Sequence, residues 1–457
     1  MRFKSTRLIG LLLVVAVLIL MILPGCSTKD TKPSTEPSSN GTVSNEEEGS
    51  DVQPLEKPNG TITVWGWEFV QRSTDAVMED FKAEYPDIEV VFEVIPAGDL
   101  YQKLLLALSA GEGVPDVATV ETSHLAQMVA TGALEDLTEK ITPYKDKMNA
   151  FKWTDATMDG KIYAMPWDSG PVALYYRRDV FEKAGYSSDP TEVAKLLVTW
   201  EDYYEVAKVI KEKTGAYMFA ESKEQNGGRT FEKLMWQQGK WYFDENGNPA
   251  LDSPEAIRTL EFIGRFVKED LAENTVEWTQ PWYDGMANGN VATIIGAVWM
   301  GGFLREWIAP DTGGLWGVVP LPAWEPDGIR TANDGGSNFV IPKDAKNKEA
   351  AWAYIEFMLG GEESHIKMFK ATDVFPSLET TYDDPFFDEE IEYFGGQKFR
   401  RIFAELAQDI PSIQYTKNYS LANEILRNAF LEHVLNDKPA DEVLKKANEE
   451  LKARMAE

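Results

Sequence analysis

Cys26 is the only cysteine in the 457-residue sequence, and its surroundings suggest what its thiol is for. Arg2, Lys4 and Arg7 open the chain. An apolar run over 8–23 follows, and Leu23-Pro24-Gly25 leads into the cysteine. A charged start, an apolar stretch and a small residue before the cut describe an export signal over residues 1–25. As the first mature residue, Cys26 can carry a diacylglycerol thioether, and its freed amine can take a further acyl chain. The apolar run is shorter than the roughly 20 residues of a spanning helix, so a lipid anchor is expected in preference to a transmembrane one. Two or more acyl chains anchor stably where one does not.

The other side chains able to do chemistry are carboxylates and indoles next to strands. Glu68, Glu121, Ser123, Asp168 and Asp334 fall in loops at predicted strand ends, the place where open α/β sheets hold ligands. Each could equally cap a helix or face solvent. Trp67 follows a strand directly, and Trp282 lies in a Gln-Pro-Trp-Tyr loop. Trp65, Trp316 and Trp352 sit inside strand or helix patterns and read as packing. The three histidines, His124, His365 and His433, have no metal-ligand spacing, so no metal or cofactor is expected. His365 and His433 lie on helical stretches and read as surface. There is no Gly-x-Ser-x-Gly elbow and no phosphate-binding loop. The 75 acidic residues make some carboxylate pair inevitable in any fold, so such a pair is no sign of glycoside hydrolysis. The formal charge is −30, and about −33 without Arg2, Lys4 and Arg7. That excludes a nucleic-acid partner, which needs clustered Lys and Arg, and direct docking on anionic lipid.

Residues 26–59 are Ser, Thr, Pro, Asn, Glu and Lys with almost no apolar side chain. Such a segment cannot bury enough surface to offset ordering entropy, so a disordered tether is expected. Its reach is about 30 Å on flexible-coil scaling. The body from residue 60 onward is near 400 residues, too long for one core, so two lobes are expected. Alternation predicts strands over 61–65, 88–95 and 116–120, separated by helices over about 75–85 and 99–110. This order reads as an open α/β sheet. Further strands are predicted over 161–166, 170–176, 291–297, 316–321 and 339–341. Helices are predicted over 179–184, 200–213, 231–238, 253–268, 347–359, 398–407 and 421–456. Asp244-Glu245-Asn246-Gly247-Asn248 carries a hairpin turn signal, with its glycine too early for a calcium loop.

Several segments taken in order carry a resemblance. Leu23-Pro24-Gly25-Cys26 resembles the bacterial lipoprotein box. Asp159-Gly160-Lys161-Ile162-Tyr163-Ala164-Met165-Pro166 and then Leu174-Tyr175-Tyr176-Arg177-Arg178-Asp179-Val180-Phe181-Glu182-Lys183-Ala184-Gly185 resemble the signature of the extracellular solute-binding proteins. The likeness is to the carbohydrate branch that serves ABC importers. Trp200-Glu201-Asp202, Asp252-Ser253-Pro254-Glu255-Ala256, Gly296-Ala297-Val298-Trp299, Ile341-Pro342-Lys343 and Ala350-Ala351-Trp352 continue it.

The resemblance implies a two-lobed periplasmic-binding-protein-like α/β fold of type II-like form. Crossing hinge strands would join the lobes, with the ligand cleft between them. Crossings are expected near 166–171, 331–334 and 375–377, giving lobe one as 60–167 plus 333–375 and lobe two as 168–332 plus 376–457. Chain that passes between lobes more than once guides their closure. The implied ligand is a carbohydrate, an oligosaccharide by expectation. Sugars offer flat apolar faces to aromatic rings and a rim of hydroxyls to carboxylates and amides. By resemblance Trp236, Trp241, Trp299 and Tyr419 join Trp67 and Trp282 as stacking candidates. The implied partners are the permease subunits of the importer, and the implied role is binding, not catalysis. The protein is expected as a monomer held by its lipid on the outer face of the cell membrane. The alternatives are a secreted polysaccharide-acting enzyme and a binder of a non-sugar solute.

Overall fold

Thr61, Thr63 and the apolar residues between them alternate with the period of a strand, and they lie in the strand Gly60–Gly66. In this computed structural model, which describes residues 57–223 and 228–456, that strand belongs to a five-stranded sheet. The order is Ile88–Val94, Gly60–Gly66, Val117–Glu121, Ser337–Val340 and Met165–Pro166. The first three run parallel, and the last two join by antiparallel pairing. Parallel strands need crossover connections, here Ala97–Ala110, which carries the chain from Ile88–Val94 to Val117–Glu121. The export signal, Cys26 and all but the last residues of the tether lie outside the described residues.

A second, antiparallel sheet has Val172–Arg177 at its centre, flanked by Thr293–Ala297 and Trp316–Val319. All six residues of the central strand are buried, so both its faces are covered by helices. Those helices begin and end where the sequence has caps. Thr199 and Asp202 close a reciprocal capping box on Trp200–Thr214, and Gly215 ends that helix in the left-handed region at φ 78°. Ser253 caps Pro254–Lys268, which starts on proline.

The buried apolar residues form two separate clusters. One gathers residues from the first sheet and its helices, including Val64, Val120, Trp153, Phe339 and Trp352. The other surrounds the second sheet and includes Tyr175, Trp200, Phe266, Trp316 and Phe403. Three chain segments join them side by side. Asp168 pairs with Pro376 and Pro171 with Asn333. Ser169 N–H donates to Phe375 O at 3.0 Å, and Asp334 N–H donates to Gly170 O at 2.9 Å.

Three local expectations change. Glu68 is not in a loop at a strand end: it opens the helix Glu68–Asp75, and a second helix, Met78–Glu84, follows it. Trp282 lies in the first turn of the helix Gln280–Asn288, not in a loop, because Pro281 suits a helix start. His365 and His433 are buried, not on the surface. His365 Nε2 lies 3.1 Å from Leu359 O, and His433 Nδ1 lies 2.6 Å from Lys438 O. Helical periodicity assigned each ring to a helix but not to a face, and both turn inward.

Candidate functional site

The strand Val117–Glu121 ends on a carboxylate, and the next residue opens the helix Thr122–Ala130. Glu121 and Ser123 therefore stand at the carboxyl edge of the first sheet. Beside them the chain turns back through Gly335 and Gly336, at φ 89° and 94°. A side chain at Gly336 would come within 2.8 Å of Asp168 O and of Lys152 Nζ, so this turn needs glycine on both counts. It is pinned by Ser337 N–H donating to Asp168 Oδ1 at 2.7 Å and Thr122 N–H donating to Gly336 O at 3.0 Å. The turn holds Asp334 out toward the second core.

The second core answers with two helices. Gly228–Gln237 carries Arg229, Glu232, Lys233 and Trp236, spaced i, i+3, i+4 and i+7 along one face. Tyr419–Asn436 carries Tyr419, Asn423 and Arg427 at successive i+4 steps. Together with Glu121, Ser123, Trp241, Asn333, Asp334, Gly335 and Tyr415, these residues line one cavity of about 180 Å³.

Four rings bound this cavity. Trp236 and Trp241 lie 5.4 Å apart, Trp241 and Tyr415 5.1 Å, and Trp241 is nearly parallel to Tyr419 at 6.2 Å and 7°. Trp241 is backed by Tyr242, stacked at 4.8 Å. Glu232 Oε1 accepts from Tyr242 Oη at 2.7 Å, Tyr419 Oη at 2.8 Å and Asn423 Nδ2 at 2.9 Å. Those three bonds lock the ring wall to the charged helix face, and Oε2 takes none of them.

Asp334 is the electrostatic centre. Arg229 Nη2 donates to its Oδ1 at 2.7 Å, and Lys233 Nζ lies 3.3 Å from its Oδ2. Lys233 Nζ also donates to Ile295 O at 2.8 Å. Burial by itself would raise the Asp334 carboxyl, but the two cations outweigh it and hold it down at about 2. Glu121 and Glu232 shift the other way. Burial pushes both up and neighbouring carboxylates add to the shift, opposed at Glu121 by Arg229 and at Glu232 by the Tyr242 and Tyr419 hydroxyls and then Arg229. Three cations thus line a cavity whose loops, read alone, were mainly acidic.

Of the residues singled out from sequence, Glu121, Ser123, Trp236, Trp241, Asp334 and Tyr419 meet in this lining. Five do not. Trp299 stands directly outside it, its Nε1 donating to Asp334 O at 3.0 Å, with the Arg229 guanidinium 5.9 Å from its ring. Asp168 fixes the glycine turn and is raised to about 6, chiefly by burial and against the pull of Lys152. Trp67 touches Tyr101 edge-on at 6.5 Å, and Tyr101 stacks on His124 at 4.0 Å. Glu68 is exposed in the first turn of its helix. Trp282 is 2% exposed, sealed against Trp278 and Tyr283. The lining residues that sequence reading missed are chiefly Arg229, Glu232 and Lys233 on one helix, Asn423 and Arg427 on the other, and Tyr415. A face search would have found the first three, because Arg229-x-x-Glu232-Lys233-x-x-Trp236 is a polar stripe ending in an indole.

A further buried acid, Glu221, stands near Thr230 and Lys233 and is raised to about 8 by burial. The folded protein keeps a proton there that the unfolded chain gives up above about 4.3. Stability therefore falls as pH rises toward 8, by up to about 1.4 kcal/mol per unit. His365, lowered by burial to about 4, has the opposite sign but acts only below about 6.5. Between about pH 6.5 and 8 Asp155, which burial also raises to about 8, acts with the same sign as Glu221, so stability should fall by at least about 1–2 kcal/mol. The thermal midpoint by circular dichroism is expected to be lower at the upper pH. An equal or higher midpoint there would refute the assignment.

The model of the family described as bacterial extracellular solute-binding protein matches residues 70–363. The chain is 30% identical over 408 residues to the arabinooligosaccharide-binding protein of Halalkalibacterium halodurans, covering 85% of this chain and 88% of that one. It is 27% identical over 398 residues to the lactose-binding protein of Rhizobium radiobacter, covering 84% and 91%. Among solved structures, the ABC transporter associated binding protein from B. animalis subsp. lactis Bl-04, in complex with β-1,6-galactobiose, matches with a TM-score of 0.69. That match is 28% identical and covers 86% of this chain and 97% of the other.

Proposed function

The chain belongs to the bacterial extracellular solute-binding proteins, with their two-lobed α/β fold, and on that premise we propose that the cavity around Trp241 is where its sugar sits. The protein is a binder, not an enzyme. It captures a carbohydrate outside the cell and delivers it to an ABC importer. The observation that carries the site is the pairing of four aromatic walls with hydrogen-bonding groups drawn from both cores. Rings cover the apolar faces of a sugar. Glu121, Asn423 and the charged trio at Asp334 meet its hydroxyls. A ligand touching Glu121 and Ser123 on one side and Trp241 and Tyr419 on the other favours the arrangement with the two cores together. It shifts the population by its differential affinity for that arrangement. The lobes are assigned as 60–167 plus 333–375 and 168–332 plus 376–457, in support of which stand the two separate apolar clusters.

Tryptophan fluorescence and calorimetry with arabinooligosaccharides, lactose and β-1,6-galactobiose test the site. Saturable, stoichiometric binding by one of them is expected, and Glu121→Ala should weaken it. A wild-type response that Glu121→Ala and Tyr419→Ala leave unchanged would remove the cavity from the account.

The anchor is a second part of the proposal. Residues 1–25 are cut away, Cys26 carries lipid, and residues 27–59 form the leash of a monomer. Its support is the sequence pattern alone. Cys26→Ser is expected to move the protein from the membrane fraction to the medium. Full retention in the membrane fraction would overturn the lipid assignment.

A further inference from the structure

Ser123 and His124 are neighbours in the first turn of the helix Thr122–Ala130. Their side chains touch, with Ser123 Oγ 2.9 Å from His124 Nδ1. Ser123 borders the cavity of about 180 Å³, and His124 does not. The histidine stands behind the serine, half-buried. Its ring stacks on Tyr101 at 4.0 Å and 20°, and Tyr101, 8% exposed, meets Trp67 edge-on. The stack fixes the plane of the imidazole, and the contact at Nδ1 fixes which edge meets the serine.

A hydroxyl has one proton and two lone pairs. What Ser123 offers a ligand therefore depends on what it gives to the ring. Opposite a bare Nδ1 it donates to the ring, and its lone pairs face the cavity. Opposite Nδ1–H it accepts from the ring, and its proton turns to the cavity. Two features favour the neutral ring. Burial lowers the His124 pKa from the usual 6.5, and the free N–H groups of a first helical turn disfavour a cation. The elements packed on this helix also carry charged and titratable groups. Asp99 is exposed and Lys103 pairs with Glu93. Lys152 donates to Thr122 Oγ1 at 2.8 Å. Tyr101, Glu121 and Asp155 complete the set, with Asp168 at the crossing and Arg229 and Asp334 across the cavity.

Resting on the carbohydrate reading above, we propose that His124 is a positioning residue for the sugar: neutral, it takes the Ser123 hydroxyl proton on Nδ1 and presents Ser123 Oγ to the cavity as an acceptor. The site then selects a ligand that brings a hydroxyl proton to this position. A free sugar hydroxyl does so, and a ring or glycosidic oxygen does not. Protonation reverses the polarity, because Nδ1–H donates to Oγ and the serine proton meets that of the ligand. Sugar binds the neutral form better, so affinity falls as acid protonates the ring. By reciprocity, bound sugar drives the proton off His124.

The probe is whichever of arabinotriose, lactose and β-1,6-galactobiose binds. Nitrogen-edited NMR of wild-type protein, with the His124 signal identified by its loss in His124→Asn, should show a bare Nδ1 at neutral pH. Saturating sugar should move the His124 titration to lower pH, by about one pH unit for a tenfold preference. Calorimetry separates hydrogen bonding from packing. His124→Phe keeps the stack and loses the partner of Ser123, and should bind about tenfold more weakly at neutral pH. His124→Asn loses the stack but keeps an acceptor near the place of Nδ1, and should recover most of that loss. Glu121 and Asp168, both raised by burial, also gain protons on acidification. The acid loss is therefore read as the difference between wild type and His124→Asn. In Ser123→Ala protein the gap between the Asn and Phe variants should close. A His124 titration that saturating sugar leaves in place, Phe serving as well as Asn, or a gap that survives Ser123→Ala overturns the positioning role and leaves the sugar reading intact. Failure of all three sugars to bind wild-type protein overturns the sugar reading, and the role of His124 with it.

Discussion

Asp334→Ala is expected to weaken sugar binding by about 100-fold and to lower unfolding stability by about 3–5 kcal/mol, the scale for breaking a buried ion pair and leaving its partner unpaired. The carboxylate holds Arg229 at 2.7 Å and Lys233 at 3.3 Å, and both it and Lys233 are nearly buried, at 10% and 8% side-chain exposure. Without it, among the described residues, Lys233 keeps its hydrogen bond to Ile295 O, at 2.8 Å. Asp334→Asn should recover part of the stability, since its shape is kept, but little of the binding. Acid titration gives an independent readout. The folded carboxyl titrates at about 2 and an unfolded aspartate near 3.9. Its contribution of about 2–3 kcal/mol is therefore fully present above about pH 4 and lost as pH falls through 2. Denaturant unfolding at pH 7 and pH 3, on wild type and Asp334→Ala, measures both effects. A variant as stable as wild type at pH 7 that binds sugar equally well would sink the claim that this trio organises the site.

Gly170→Ala is the second large effect. A Cβ at Gly170 would lie 2.1 Å from Asp334 O and 2.8 Å from Asp334 C. Both are backbone atoms, so no side-chain rotation can relieve the clash. The two segments are also tied by Gly170 N–H donating to Asn333 Oδ1 at 3.0 Å and Asp334 N–H donating to Gly170 O at 2.9 Å. The methyl must push one crossing segment off the other, and Asp334 moves with it. The expected cost is about 3 kcal/mol, at the upper end for overpacking, with weaker sugar binding as a consequence. Gly98→Ala is the matched control. It lies in the helix Ala97–Ala110 with nothing within 4 Å of the added carbon, and alanine there should be neutral or stabilise by about 0.5–1 kcal/mol. Comparable midpoints for the two variants would show that the crossing tolerates a side chain.

Much of the architecture was legible because it is local. The alternation at 61–65 and 116–120, the capping box at Thr199 and Asp202, and Ser253-Pro254 each specify an element within a few residues, and each element formed there. Trp65, Trp316 and Trp352 are buried, as their strand and helix patterns required. Of the ligand candidates, Glu121 and Asp334 could be singled out because strand ends are marked in the chain, and Trp241 through the resemblance. The reading faltered where an answer depends on which way a helix turns. His365 and His433 sit on recognisable helices but face inward. Trp282 and Trp241 are both nearly buried indoles, at 2% and 3% exposure, yet only Trp241 borders the candidate cavity.

The amino-acid order by itself determined the elements, the need for two cores, the export pattern ending at Cys26, and the run of segments shared with solute-binding proteins. All of these follow from periodicity, capping and composition over short stretches. Only the tertiary structure decided that Asp334 meets Arg229 from 105 residues away, that Glu232 ties Tyr242 to Tyr419, and that Glu121 faces them all. The reason is that periodicity says a face will be covered but not by what. The partner is chosen by how whole layers pack, and a cavity lined from five distant segments exists only after that choice is made.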